Sequence, residues 1–117
     1  MKILALAIPL TMMSAAASAQ QSGEIGYPQG SLGYDALVHA NYGAAEAQIL
    51  ASSKVAKDDP ARLINLGQIY AQTGRTAEAV GVLRQAIAAD EVELILANGD
   101  SISSRDAARK VLSQLQK

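Results

Sequence analysis

The chain has 117 residues, with ten basic and eleven acidic side chains and a formal net charge of −1 at pH 7. This length suits a single domain, and the small, mixed charge argues against a surface that binds nucleic acid through its phosphates. The absence of cysteine excludes disulfides, thiolate zinc sites and a lipid anchor on an N-terminal cysteine.

Residues 1–19 have the pattern of a secretory signal peptide. A lysine follows the first methionine, residues 3–13 are an apolar run too short to anchor the chain in a bilayer, and Ala17-Ser18-Ala19 supplies small residues for a signal peptidase. The alternative is a buried N-terminal helix, against which Pro9 argues. We expect cleavage after Ala19, a periplasmic or secreted protein, and no membrane span afterwards.

Residues 20–33 are rich in Gly, Ser and Gln and show neither helical nor strand periodicity. We expect a flexible or extended arm. Either Ile25, Tyr27 and Leu32 dock this arm onto the domain, or residues 20–26 are a disordered linker.

Two helices are predicted next, a short one over residues 34–40 and a longer one over residues 43–56. In the longer one, Ala45, Ile49 and Ser52 recur at helical spacing on one face.

The following stretch is predicted to be a helix, a tight turn and a second helix. Asp59 is a good N-cap for a helix over Pro60–Gln72, and Gly74 suits the left-handed cap of the turn. Thr76 is placed to cap the second helix. The residues that form one face of each helix are Leu63, Leu66, Gly67 and Tyr70 in the first, and Ala79, Leu83 and Ala86 in the second. We expect the two helices to cross closely where Gly67 faces Ala79.

This pattern resembles the tetratricopeptide repeat, a helix–turn–helix unit of about 34 residues. The resemblance rests on Leu63-x2-Leu66-Gly67-x2-Tyr70 and on Ala79-x3-Leu83 with Ala86, and it covers about residues 41–90. This chain departs from the family at Leu63, where Trp is most common, at Leu83, where an aromatic residue is usual, and at Glu91, where Pro often closes the unit.

The resemblance implies an antiparallel helical stack over residues 34–117, with one full repeat at 60–90. A shift of 34 residues places Ala79 on Ala45, whereas Leu32-Gly33, in phase with Leu66-Gly67, lies among helix breakers. We therefore expect only the second half of a preceding repeat.

In the tetratricopeptide family, the first helix of each unit lines a concave groove that binds peptides or protein segments. The positions of this chain that match the groove or its edge are Arg62, Ile64, Asn65, Gln68, Ala71 and Gln72. This face either binds a partner or packs on the N-terminal arm or on a second copy of the chain.

The 34-residue pattern of the repeat does not continue after residue 90. Residues 91–97 alternate before Asn98-Gly99, a strong hairpin signal, so we expect a short β-hairpin near 91–103; a helix that ends at Asn98-Gly99 is the alternative. The strand would pair with residues 101–103 or with the arm around residues 25–27. Ser103 or Ser104 would then cap a final helix whose single apolar face closes the stack.

The sequence predicts no catalytic site, cofactor or metal. His39 is the only histidine and has no nucleophile or acid motif beside it. Ser103-Ser104 lacks the glycine pattern of a nucleophile elbow. Glu91 and Glu93 are interpreted as a solvated strand edge, and Asn98 with Asp100 as turn chemistry rather than a calcium loop.

We therefore predict a mainly all-α fold: a tetratricopeptide-like stack with an extended N-terminal arm and a C-terminal capping helix. The predicted function is an exported, non-catalytic protein-interaction module that binds a protein or peptide. The alternative is a small structural protein of the cell envelope that self-associates into a homo-oligomer. An enzyme that uses His39 is the third hypothesis.

Overall fold

The computed structural model describes residues 27–96 and 98–116. The predicted signal peptide and the arm before residue 27 lie outside the described residues. The elements are α1 Tyr34–Val38, α2 Tyr42–Ala51, α3 Pro60–Gln72, α4 Thr76–Ala88, β1 Glu93–Ile95, β2 Ser101–Ser103 and α5 Ser104–Leu115. The prediction of a mainly helical chain is confirmed. Within the described part of the chain, no helix combines the length and apolar character needed to cross a membrane.

α3 begins and ends at the predicted residues. The Asp59 carboxylate accepts hydrogen bonds from the backbone N–H groups of Ala61 (2.9 Å) and Arg62 (3.2 Å), and Pro60 takes the first helical position. These bonds satisfy two of the donors that a helix start leaves free. Gly74 has a φ of +80°, the left-handed conformation that follows many helix ends.

α4 begins without the predicted cap. Thr76 is the first helical residue, and Arg75 at the N-cap position makes no side-chain cap hydrogen bond. Glu78 lies in the first turn of α4, where a negative charge is favoured by the helix dipole.

α2 is shorter than the predicted helix over residues 43–56, because it ends before Ser52, which is extended. The carbonyl of Ile49 lies at this helix end. A longer helix would pair this carbonyl with the N–H of Ser53. It accepts instead from the N–H of Ser52 (3.2 Å) and from Nη1 of Arg62 (2.7 Å).

The helix ends recur after 34 positions. α1 ends at Val38 and α3 at Gln72, while α2 begins at Tyr42 and α4 at Thr76. α1 has five residues and α3 has thirteen, so the first helix pair is shortened at its N-terminal end. The segment before α2 thus contains the short helix predicted over residues 34–40, and this helix is abbreviated relative to α3.

α3 is the central helix of the described chain. It packs on α2, α4 and α5, and every residue over 60–69 is buried. One apolar cluster joins α3 to α1 and α2. A second joins α3 to α4, β1 and α5, with Leu32 from the segment before α1.

α3 and α4 approach closely at Gly67. The sequence predicts that Gly67 faces Ala79, which is buried, but the atoms nearest to Gly67 belong to Leu83, one turn further along α4. The larger Leu83 side chain fills the space left by the absent Cβ, as close packing requires.

β1 and β2 form the hairpin predicted near residues 91–103. The strands are antiparallel, with Leu94 opposite Ile102. The N–H of Gly99 donates to the carbonyl of Leu96 (2.9 Å), and Gly99 has a φ of +92°, which glycine adopts readily in such turns.

α5 is capped as predicted, since Oγ of Ser103 accepts from the N–H of Asp106 (3.3 Å). The carboxylate of Asp106 forms an ion pair with Arg109 (3.3 Å). Ala107, Ala108 and Val111 are buried in the cluster shared with α4, so the apolar face of α5 covers that end of the helix pair.

Candidate protein-binding surface

The six residues predicted to line a groove divide into a buried group and an accessible group. The buried residues are Arg62, Ile64, Asn65 and Gln68. The accessible residues, at the C-terminal end of α3, are the half-buried Ala71 and the exposed Gln72. One helix carries all six, but only its last turn reaches solvent.

Residues 27–33 pack on the buried part of α3. Nδ2 of Asn65 donates to the backbone carbonyl of Leu32 (3.0 Å), and Leu32 is fully buried in the same cluster as Ile64. The hydroxyl of Tyr27 donates to the carboxylate of Asp59 at the start of α3, 3.1 Å from each oxygen. Burial, together with the charge of Asp59, raises the pKa of Tyr27 above its ordinary value.

Arg62 has a structural contact at the end of α2. Its side chain is buried, and Nη1 donates to the carbonyl of Ile49 at 2.7 Å. A cation suits this position because the C-terminal end of a helix carries partial negative charge. The bond therefore attaches α2 to α3 and offsets the charge at the helix end.

Several buried polar atoms have no hydrogen-bond partner among the described residues. They are Oγ of Ser31, Oδ1 of Asn65, Nε2 of Gln68 and Nε of Arg105. The first three belong to α3 or to the segment that packs on it. Unpaired buried polar groups cost stability, so the polar side chains at this contact are only partly satisfied.

The accessible end of α3 lies beside a bidentate ion pair. Nη1 and Nη2 of Arg75 donate to the two carboxylate oxygens of Glu46, at 3.0 and 2.6 Å. The guanidinium also lies 4.7 Å from the ring centre of Tyr70, a cation–π distance. The hydrogen bond from Arg75 lowers the pKa of Glu46 below its ordinary value. The pair connects α2 to the turn between α3 and α4.

An open groove of about 490 Å³ lies between residues 28–31 and the end of α2, where Gln48 and residues 51–54 line it. It lies where α2 ends, with Ser52 extended and the chain bending at Lys54 and Val55. The sequence did not predict it. The available signal was Pro28-Gln29-Gly30, which is typical of a turn but lies in the stretch assigned to the arm.

Two large apolar side chains are exposed among the described residues: Val38 is 42% exposed and Leu50 is 53% exposed. Leu50 shares the outer face of α2 with Ala47 and Ala51, which are also exposed. The position 34 residues after Leu50 is Arg84, on the exposed surface of α4. The outer surface is therefore apolar at Leu50 on α2 and charged at Arg84, the position 34 residues later on α4.

The side chains that sequence reasoning considered for catalysis have local structural contacts. Nδ1 of the exposed His39 lies 2.8 Å from the carbonyl of Asp35. Oγ of Ser103 caps α5 and donates to Oε2 of Glu91. Oγ of the fully buried Ser104 accepts from the N–H of Val92 (3.0 Å). These bonds give each of the two serines and the histidine a local structural contact.

The acidic residues of the hairpin are solvated. Glu91 and Glu93 are exposed, and Oδ1 of Asn98 accepts from the N–H of Asp100 (3.0 Å), as in an Asx turn. Over residues 27–96 and 98–116, no three histidine or acidic side chains are grouped so that they could hold a metal ion.

Comparisons with protein-family models, with curated proteins and with solved structures find no match to this chain.

Proposed function

We propose that this chain is an exported, non-catalytic protein-binding domain built on a tetratricopeptide-like repeat. The observation that carries the proposal is the recurrence of helix ends after 34 positions, at Val38 and Gln72 and again at Tyr42 and Thr76. This spacing is the length of the unit that the sequence resembles.

Two glycines with the same spacing support the proposal. A Cβ on Gly33 would lie 3.2 Å from Cβ of Ala45, and one on Gly67 would lie 2.7 Å from Cδ2 of Leu83. Each glycine therefore brings its part of the chain close to the second helix of its own pair, because a side chain would hold them apart. The partners differ by one helical turn, because Gly33 approaches Ala45, which corresponds to Ala79, whereas Gly67 approaches Leu83.

The partner would bind on preformed outer surfaces rather than along the buried face of α3. Gln72 at the end of α3 and Leu50 on α2 are accessible without any rearrangement. Apolar contacts surrounded by polar groups are typical of protein interfaces, and the Glu46–Arg75 pair connects α2 to the turn that follows α3.

Capture of partners from a cell-envelope extract tests the proposal. We expect one or more proteins to bind the wild-type chain and to be lost from Leu50→Ser and reduced by Gln72→Ala. Arg84→Ser, at the matching outer position of α4, is the control that should retain them. The proposal fails if no protein binds the folded chain more strongly than the heat-unfolded chain.

Export has an independent test, since mass measurement of the secreted or periplasmic protein should show a chain that begins at Gln20. Recovery of the intact chain from the cytoplasmic fraction alone would contradict the exported part of the proposal.

Self-association in the cell envelope is the second candidate, and the exposed apolar side chains of α2 favour it. Light scattering over a micromolar concentration series would then show a dimer for wild type and a monomer for Leu50→Ser. A monomer for both would leave binding of another protein as the supported function.

A further inference from the structure

We infer that the groove between residues 28–31 and the end of α2 binds an extended, acidic peptide segment of a partner protein. This inference rests on the proposed protein-binding function. It adds a second contact surface to the outer surfaces at Gln72 and Leu50, and it names the chemistry of the segment that would occupy it.

The first observation is Ser31, which lines the groove and is only 3% exposed. Its Oγ has no hydrogen-bond partner in the described part of the chain, while its backbone N–H donates to the carbonyl of Pro28 (3.0 Å) and holds the turn in place. A buried hydroxyl without a partner costs stability. A ligand that bonds to it would remove that cost in the bound state.

The opposite wall contains one extended residue, Ser52, before the chain bends at Lys54 and Val55. Ser52 has φ −76° and ψ 121°, and the backbone groups of Ser53 make no hydrogen bond to another described residue. The free N–H and C=O groups of Ser53 can pair with the backbone of a peptide. This feature favours a peptide over a compact ligand, which could not use the backbone groups along the wall.

The charges favour an acidic peptide. Lys54 is the one charged side chain among the described residues that line the groove, and neither ion pair of the described residues includes it. Nearby, Arg62 donates to the carbonyl of Ile49 and offsets the negative end of α2. Lys54 therefore supplies this groove with one positive charge, which is complementary to carboxylates.

A second groove, between the hairpin and α5, has a different charge. It contains Asp100, Asp106, Arg109 and Lys110, and Asp106 already pairs with Arg109. Because this second groove contains charges of both signs, it favours neither an acidic nor a basic ligand.

Nuclear magnetic resonance titration of the isotope-labelled full chain tests the inference. The probes are two hexapeptides with blocked ends, one of alternating threonine and glutamate and one of alternating threonine and lysine, with inorganic phosphate as a third probe. We expect the glutamate peptide alone to shift the amide signals of Ser31, Gln48, Ser52 and Ser53. Equal shifts with the lysine peptide, equal shifts with phosphate, or no shifts at millimolar peptide would each overturn the inference.

Two variants separate binding from folding. Ser31→Ala and Lys54→Gln should each weaken the glutamate peptide by roughly tenfold, the loss expected for one hydrogen bond to a charged group. Ser31→Ala should not lower the melting temperature, because the hydroxyl has no partner in the fold. Ser113→Ala and Lys110→Gln, on α5, are the controls and should bind as wild type does. Unchanged affinity in both groove variants would contradict the inference.

The two proposals fail differently. If Leu50→Ser loses the captured partner and no peptide binds in the groove, the proposed function stands and the inference about the groove is rejected. Failure to capture any partner would reject the proposed function, and the inference with it.

Discussion

Leu83 fills the space that the missing side chain of Gly67 leaves on α3. A Cβ built on Gly67 would lie 2.7 Å from Cδ2 and 2.8 Å from Cγ of Leu83. Leu83 is fully buried, so it has no room to move aside, and the contact fixes the distance between α3 and α4.

Replacement of Gly67 by alanine should therefore destabilise the chain, although alanine is the better helix former. We expect Gly67→Ala to lower the free energy of unfolding by about 1–3 kcal/mol, the usual cost of overpacking a core. Gly81→Ala on α4 is the matched control, since no atom lies within 4 Å of a Cβ added there. It should raise the free energy of unfolding by about 0.5–1 kcal/mol. Urea denaturation followed by circular dichroism measures both, and stabilisation by both would contradict the close contact.

Arg62 should stabilise the fold rather than contact a partner directly. Arg62→Met keeps much of the side-chain volume but removes the donor to the Ile49 carbonyl, so we expect a loss of about 1–3 kcal/mol in the free energy of unfolding. Arg84→Met, on the exposed surface of α4, should change it by less than about 0.5 kcal/mol. Equal effects of the two substitutions would show that the Arg62 bond has no role in stability.

Asn65 and Gln68 should differ although both are buried on α3. Asn65→Leu removes the bond to the Leu32 carbonyl and should lower the free energy of unfolding by about 1–3 kcal/mol. Gln68→Met removes an amide nitrogen that is unpaired among the described residues, so it should leave that free energy unchanged or raise it. Thermal denaturation of the two variants measures both effects. A larger loss of stability in Gln68→Met than in Asn65→Leu would contradict this prediction.

The Glu46–Arg75 pair should make stability depend on pH. The pKa of Glu46 is lower in the folded chain than its ordinary value of 4.5, so the unfolded chain takes up the proton first as pH falls. The stabilisation is therefore present above pH 4.5 and is lost as pH falls through the folded pKa. We expect the melting temperature of Glu46→Gln to lie below that of wild type at pH 7 and to match it in strong acid. A difference that stays constant with pH would exclude this origin.

Local signals in the sequence predicted much of the fold. Asp59-Pro60 marked the start of α3, and Gly74 marked the turn that follows it. Asn98-Gly99 marked the hairpin, and Ser103-Ser104 marked the start of α5. Each signal works because the residue satisfies or bends the backbone within a few positions of itself. Such effects need no knowledge of the rest of the structure.

Effects that act across the chain were not predictable in the same way. The end of α2 is contacted by Arg62, thirteen positions after Ile49, which donates to the Ile49 carbonyl. Among the predicted groove residues of α3, Ile64 and Asn65 are covered by residues 27–33, and that segment has no periodicity that would indicate its position. Arg62 contacts the end of α2 instead. The groove beside Ser31 lies between residues 28–31 and the end of α2, so no single stretch of sequence indicated it.

The enclosed position of α3 has a consequence for how the chain unfolds. In an open repeat array, each unit contacts only its neighbours, and an end can detach while the remainder stays folded. Here, loss of α2 would uncover Arg62, and loss of α5 would uncover Leu83 and Ala86, so neither half keeps a closed interior. The chain should therefore melt in one cooperative transition, with calorimetric and van't Hoff enthalpies equal, rather than by unzipping from one end.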